Sequence, residues 1–279
     1  MNALLYSDPS HNALRSSVFE HFQGVVSFEQ VALKYVHRGQ ETYRVNHKKH
    51  VVEAGQLILG NHSRQSEVHI HTLTEGLCID IAPDFVHQIA ECAGHTTEVA
   101  EFLTSNRFPL LTLSKQNSAA AREMAVLAEE GIQHNAPPDG HVPHFLVTLT
   151  EAMLDDAALV FTQIKGLPFR RSETRSEVFV QLKKVKDFID RHYLEPLQLD
   201  DLTPIACISK FALVRQFRLS FGLAPYKYIQ QKRLEFALQM LQRGNSVQDT
   251  AFMTRFADSA AFSKAFRRHF GLSPTQHLK

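Results

Sequence analysis

The sequence predicts a two-domain α+β chain: an antiparallel β-barrel with helices after it, then an all-α domain in which two copies of one helical unit are joined by a long helix. Short runs rich in β-branched and apolar residues, punctuated by glycine, fill residues 25–82, and from Pro83 onward apolar residues recur at three- and four-residue spacing. One thirteen-residue phrase is written twice, LVRQFRLSFGLAP at 213–225 and FSKAFRRHFGLSP at 262–274, with six identities. Charge changes sign along the chain. Residues 1–170 hold 12 Lys and Arg against 19 Asp and Glu, and residues 171–279 hold 18 against 10, so a net of −7 gives way to +8. Such a split points to one domain that meets a polyanion and another with a different task.

The 279 residues suffice for two domains, each with its own core. No uncharged apolar run approaches the ~18 residues of a membrane span. The N-terminus MNALLYSDPSHNALRSS lacks a basic stretch followed by an apolar core, so neither membrane insertion nor secretion is expected. Cys78, Cys92 and Cys207 are dispersed, odd in number and without CxxC spacing, as expected of reduced thiols in a cytoplasmic protein with no disulfide framework or zinc site.

In chain order, VVSFEQVALKYVHRG, ETYRVNHKKHVVEAGQLILGN and EVHIHTLTEGLCIDIAP read as strands broken at Gly39, Gly55, Gly60 and Gly76. DFVHQIAECA, SAAAREMAVLAEEGIQH and HFLVTLTEAMLDDAALVF read as helices, with APPDG at 136–140 separating the last two. KGLPFRRSETR at 165–175 holds Gly, Pro and a charge cluster where the sign flips, which marks a linker. The expected layout is a barrel over 1–110, a helical dimerisation or connector segment over 111–166, a linker over 167–176 and a basic helical domain over 177–279.

On a helix, Leu213, Phe217 and Phe221 fall on one stripe, as do Phe262, Phe266 and Phe270, and these are expected core positions. The opposite side carries Phe211, Arg215 and Arg218 in the first copy and Ala260, Lys264 and Arg267 in the second. A glycine ends each helix and a proline opens the next. A shorter helix precedes each copy: LDDLTPIACIS, with apolar residues at 199, 202, 205 and 206, and NSVQDTAFMTRFAD, with apolar residues at 247, 251 and 252. Helix, tight turn and cationic second helix is the helix-turn-helix plan, whose second helix enters the major groove of DNA. The plain alternative, two amphipathic helices with solvated basic faces, suits one copy better than two on a domain of net +8. The intervening APYKYIQQKRLEFALQMLQRG, about twenty residues, makes a rod of about 30 Å, close to the ~34 Å between successive major-groove openings on one face of a duplex.

Over residues 178–279 the chain resembles the AraC/XylS family of bacterial transcription regulators. ISKFALVRQFRLSFGLAPYKYIQQKRLEFALQML followed by FADSAAFSKAFRRHFGLSPTQHL carries the likeness. The resemblance implies a sequence-specific regulator of double-stranded DNA with two helix-turn-helix motifs, frequently an activator that contacts RNA polymerase. It implies base contacts by Phe211, Val214 and Arg215 in the first motif and by Ser259, Ala260, Ser263 and Lys264 in the second. Arg215 is chemically suited to bidentate pairing with guanine, and Phe211 and Val214 to thymine methyls. The second motif is expected mainly to grip phosphate through Lys264, Arg267 and Arg268, with Arg218 added by the first. The family commonly has glycine in each turn. Cys207 and Arg255 stand there instead, so both are expected at positive φ.

VHRGQETYRVNHKKHVVEAGQLILGNHS resembles, less specifically, the cupin-type barrel that many such regulators carry as a sensor, which implies a cavity for an unknown small effector and a homodimer. A protein partner in place of the small effector is the alternative. Phe145, Leu149, Met153 and Ala157, with Leu146, Leu154 and Val160 beside them, form an apolar stripe that suits either a dimer seam or burial within the chain. His69 and His71 share one strand face, and Glu75 lies near in sequence. Together they would suit a metal and would make the barrel a metal-dependent cupin enzyme with a DNA-binding appendage. The blander reading is two histidines on a partly exposed strand, with no metal, no other cofactor and no catalytic constellation. Thirteen of the 16 histidines fall in the first 170 residues, which fits either solvated surface or a pH response.

Overall fold

The computed structural model describes residues 2–27, 30–45, 48–61, 65–134 and 141–277. The expected break at 136–140 lies outside them. The chain divides into two units, Met1–Thr162 and Gln163–Lys279.

The first unit contains β1 (Asn2–Ser7), β2 (Ala13–Phe19), β3 (Phe22–Ser27), β4 (Val31–Arg38), β5 (Gln40–Val45), β6 (Lys48–Glu53), β7 (Gln56–Gly60), β8 (Gln65–Ile70) and β9 (Thr74–Ile81). Helices α1 (Pro83–Cys92) and α2 (Thr97–Thr104), strand β10 (Leu111–Ser114) and helices α3 (Ala119–His134) and α4 (His141–Lys165) follow, the last three residues of α4 being counted with the second unit. The strands form two antiparallel sheets, β1-β2-β9-β4-β7-β10 and β3-β8-β5-β6. The two sheets share one core, and among the described residues they are not joined by hydrogen bonds into a closed barrel. Ala32, Val36 and Ile58 from one sheet meet Tyr43, Val45, Val52, Val68 and Ile70 from the other. β1, β2, α2 and β10 were not anticipated. β10 falls in the stretch expected to be helical, and it is an edge strand paired with β7 from Leu111↔Leu59 to Ser114↔Gln56.

β4 is the pivot of this unit, and its first six residues are all buried. Alternation sends Ala32, Lys34 and Val36 toward the facing sheet and Val31, Leu33 and Tyr35 the other way, toward the side on which α3 packs. Lys34 therefore sits inside an apolar core. Its Nζ lies 3.2 Å from Glu41 Oε1 and donates to Ser17 Oγ, while the Tyr43 hydroxyl donates to Glu41 Oε2 at 2.7 Å. Burial, and then the neighbouring Glu41 charge, push the Tyr43 hydroxyl well above its ordinary pKa. Burial also raises the Cys78 thiol, against the pull of Lys34. β9 passes so close that a Cβ on Gly76 would lie 2.3 Å from Tyr35 O and 3.3 Å from Lys34 Nζ, so only glycine fits there.

In α4, Leu146, Leu149, Met153, Leu154, Ala157 and Val160 are buried within the chain. Their stripe is thus core, and a dimer seam along it is not what the structure shows. Asp156 on the same helix accepts from Ser118 Oγ at 2.6 Å and from the amides of Ala119 and Ala120 at 3.0 and 3.2 Å. It closes the amino end of α3 and satisfies amides that have no partner inside that helix. Burial raises its pKa despite these donors.

The second unit contains α5 (Ser172–His192), α6 (Leu199–Ala206), α7 (Lys210–Phe221), α8 (Pro225–Gln242), α9 (Val247–Met253), α10 (Ser259–Phe270) and α11 (Pro274–His277). Phe179, Leu213 and Phe217 are fully buried around α7, with the Phe217 and Phe221 rings 4.7 Å apart. Around α10, Phe262 and Phe266 are fully buried against Leu234, Ala237 and Leu241 of α8 and Ala251 of α9. Each such phenylalanine contributes roughly 1.5–3 kcal/mol of hydrophobic stabilisation. Phe252 departs from the expectation. Apolar in sequence and placed with the core face of its helix, it is 83% exposed.

Candidate nucleic-acid interface

Each duplicated phrase folds as its local signals require. Ser209 caps α7 by accepting from the Ala212 amide at 3.4 Å, and Asp258 caps α10 by accepting from the Ala261 amide at 2.6 Å. Gly222 (φ 79°) and Gly271 (φ 82°) end the two helices in the left-handed region. Cys207 (φ 53°) and Arg255 (φ 63°) occupy the same region in the two turns, as expected for residues standing where glycine is usual. The turns therefore keep their geometry, against a steric preference that would favour glycine.

With Leu213, Phe217, Phe262 and Phe266 turned inward, the opposite faces of α7 and α10 are fixed. Phe211 is 91% exposed at the start of α7, Arg215 and Arg218 are exposed along it, and Val214 is half-buried between them. On α10, Ala260, Lys264, Arg267 and Arg268 are exposed, and Ser259 and Ser263 are half-buried beside them. The structure thus exposes Phe211, Arg215 and Arg218 on α7 and Ala260, Lys264, Arg267 and Arg268 on α10, and leaves Val214, Ser259 and Ser263 half-buried at the margins of those faces. Lys210, also on α7, is held by Asp200 of α6. An open depression lined by Ser263, Lys264, Arg267, Arg268, Gly271 and Ser273 runs beside the end of α10. Its cations and hydroxyls suit a phosphate group. Gly271 and Ser273 were not foreseen as part of this face, although the Ser-Pro that opens α11 marks a helix start beside it.

The two helices flank α8, an 18-residue rod about 27 Å long. Its buried Ile229 lies nearer the amino end, and its Leu234, Ala237 and Leu241 belong to the core that holds α10. Twin cationic helices on one rod are suited to two stretches of groove in a single duplex.

The histidine candidates do not assemble into a site. His69 belongs to β8 and is partly buried, with its ring 6.4 Å from that of exposed His71, and Glu75 pairs with Arg38 at 3.8 Å. Among the described residues no group of three His, Cys, Asp or Glu side chains gathers as a metal site. No helix among them is long and apolar enough to cross a membrane.

Residues 202–279 match the family model described as a helix-turn-helix domain. LumQ, a probable transcriptional regulator of Photobacterium leiognathi, is 28% identical over 94 residues, 33% of this chain and 38% of that protein. YbfI, an uncharacterized HTH-type transcriptional regulator of Bacillus subtilis, is 25% identical over 233 residues, 81% of this chain and 76% of that protein. RhaS of Escherichia fergusonii, an HTH-type transcriptional activator, is 34% identical over 90 residues, 32% of each chain. The matched stretch thus spans about a third to two fifths of LumQ and RhaS, whereas YbfI is similar over most of its length.

Proposed function

We propose that the chain is a sequence-specific DNA-binding transcription regulator of the AraC/XylS type, not an enzyme, on the support of the helix-turn-helix match over residues 202–279. One observation carries this reading: two helices built on one repeated phrase, each with an aromatic side buried and a cationic side exposed, are mounted on a single rod. Arg215 reads guanine, Phe211 and Val214 meet thymine methyls, and Ser259, Ala260 and Ser263 line the second contact, where Lys264, Arg267 and Arg268 bind phosphate.

The finer parts of the proposal have their own supports. Activation is supported by RhaS, an HTH-type transcriptional activator among the relatives, and contact with RNA polymerase is the route proposed for it. Sensing of a small effector by the first unit is proposed on its two facing antiparallel sheets with a shared core, the arrangement that the sequence likeness to a sensor barrel implies. Homodimerisation is supported by Val126 and Leu159, exposed apolar residues on α3 and α4. A cytoplasmic location goes with the DNA target.

The test is a duplex selected by the chain from random sequence, then bound by Arg215→Ala and Lys264→Ala variants on the matched and scrambled site. Arg215→Ala is expected to lose about 1–3 kcal/mol of discrimination. Lys264→Ala is expected to weaken both duplexes alike. Equal loss of discrimination by the two variants refutes the assignment of roles, and a chain that selects no sequence refutes the function.

A further inference from the structure

Three successive carbonyls leave the end of α5, those of Tyr193, Leu194 and Glu195, and two arginines from distant parts of the domain take them. Arg233 of α8 donates through Nε to Tyr193 O at 2.7 Å and through Nη2 to Glu195 O at 2.8 Å. Arg255, in the turn between α9 and α10, donates through Nε to Leu194 O at 3.0 Å, across 61 positions of sequence. The carboxyl end of a helix carries partial negative charge, which suits a pair of guanidinium groups there. Burial lowers the Arg233 pKa, and the Arg255 charge adds to that lowering, so the two guanidiniums are near enough to feel each other.

The strip they hold belongs to the body of the first motif. α5 packs on α6 and α7, and it is tied to α8 by the Tyr228 hydroxyl donating to Asp190 at 2.6 Å and by the Tyr193 and Phe236 rings 6.1 Å apart. Arg255 is a strut from the turn of the second motif to that body. It also stands at φ 63°, where glycine would sit without steric cost. The position therefore accepts an unfavourable backbone and gains a side chain that reaches the other motif.

We propose that Arg255, working with Arg233, is a positioning residue that fixes α10 relative to α7, so that the chain reads its two DNA half-motifs at one spacing. This inference rests on the DNA-binding function proposed above. It concerns the separation of the half-motifs, not the identity of their bases.

The probe is the duplex selected from a random pool by the full wild-type chain, together with versions in which one base pair is inserted or deleted between the half-motifs. Each such change moves the half-motifs by about 3.4 Å and about 35° around the helix. Wild type is expected to lose about tenfold in Kd or more on the altered duplexes, a small part of the usual gap between specific and non-specific binding. Arg255→Gly, which keeps the turn without strain, is expected to lose less than about threefold, and its salt slope is expected to match wild type, because no phosphate contact is removed. Arg233→Lys, which keeps the charge without the planar fork, is expected to relax spacing in the same way and serves if Arg255→Gly does not fold. Wild-type spacing discrimination in both variants overturns the proposal. So does a salt slope flattened by about 0.9 with discrimination intact, which would make Arg255 a phosphate ligand. A wild-type chain that selects no duplex overturns the DNA-binding function itself, whereas the first two results leave it standing.

Discussion

The cationic faces of α7 and α10 set how steeply DNA binding must depend on salt. Arg215 is assigned to a base, which leaves Arg218, Lys264, Arg267 and Arg268 exposed and available for phosphates. Each phosphate neutralised on B-form DNA contributes about 0.9 to the slope of log K against log salt, so these cations predict a slope of about −3.6. Between 50 and 200 mM salt the affinity should then fall by about 150-fold. The Arg267→Ala/Arg268→Ala variant should have a slope of about −1.8 and lose about 12-fold over the same range. Fluorescence anisotropy of a labelled selected duplex, titrated at several salt concentrations, measures both. A wild-type slope shallower than about −1, or a double variant as steep as wild type, would show that these faces do not lie on the DNA backbone.

Further expectations concern stability. Removing one partner of the buried Lys34–Glu41 pair, by Glu41→Leu, should destabilise the first unit by about 3–5 kcal/mol in urea unfolding, while Lys34→Met combined with Glu41→Leu should recover most of the loss; a single variant as stable as wild type would contradict the pairing. The raised pKa of Asp156 means that the native state holds its proton to higher pH than the unfolded chain. Its contribution is therefore most favourable below the ordinary carboxylate pKa and is lost as pH rises through the raised folded value, so Asp156→Asn should flatten the thermal-stability profile over that window, and an unchanged profile would count against it. Cys207→Gly relieves a left-handed backbone that costs about 1–2 kcal/mol and gives back about half of this through the looser unfolded chain, so Tm should rise modestly. A fall in Tm would show that the thiol makes a contact worth more than the strain.

The second unit was legible because its signals are local. The caps at Ser209 and Asp258, the left-handed ends at Gly222 and Gly271 and the three-four spacing of Phe217, Phe221, Phe262 and Phe266 all act within a few residues. The positive φ values at Cys207 and Arg255 were legible for the same reason. In the first unit the run LLTLS reads equally as helix or strand, and only its pairing with β7 decides for β10. β1 and β2 mix polar and apolar residues because β1 is an edge strand paired on one side only, so their alternation is weak. The Lys34–Glu41 pair joins strands of different sheets, and the Arg255 strut bridges 61 positions of sequence. Neither periodicity nor motif spacing carries such partners. Phe252 shows the opposite limit: hydrophobicity in the sequence does not say which side of a short helix meets a neighbour.

α8 presents apolar residues to both motifs, with Ile229 buried near one end and Leu234, Ala237 and Leu241 locked under α10. Neither reading head owns the helix it stands on. A frameshift after Gln242 would strand a bare greasy flank in water and cripple the surviving motif too, so the two heads must be inherited, folded and lost together.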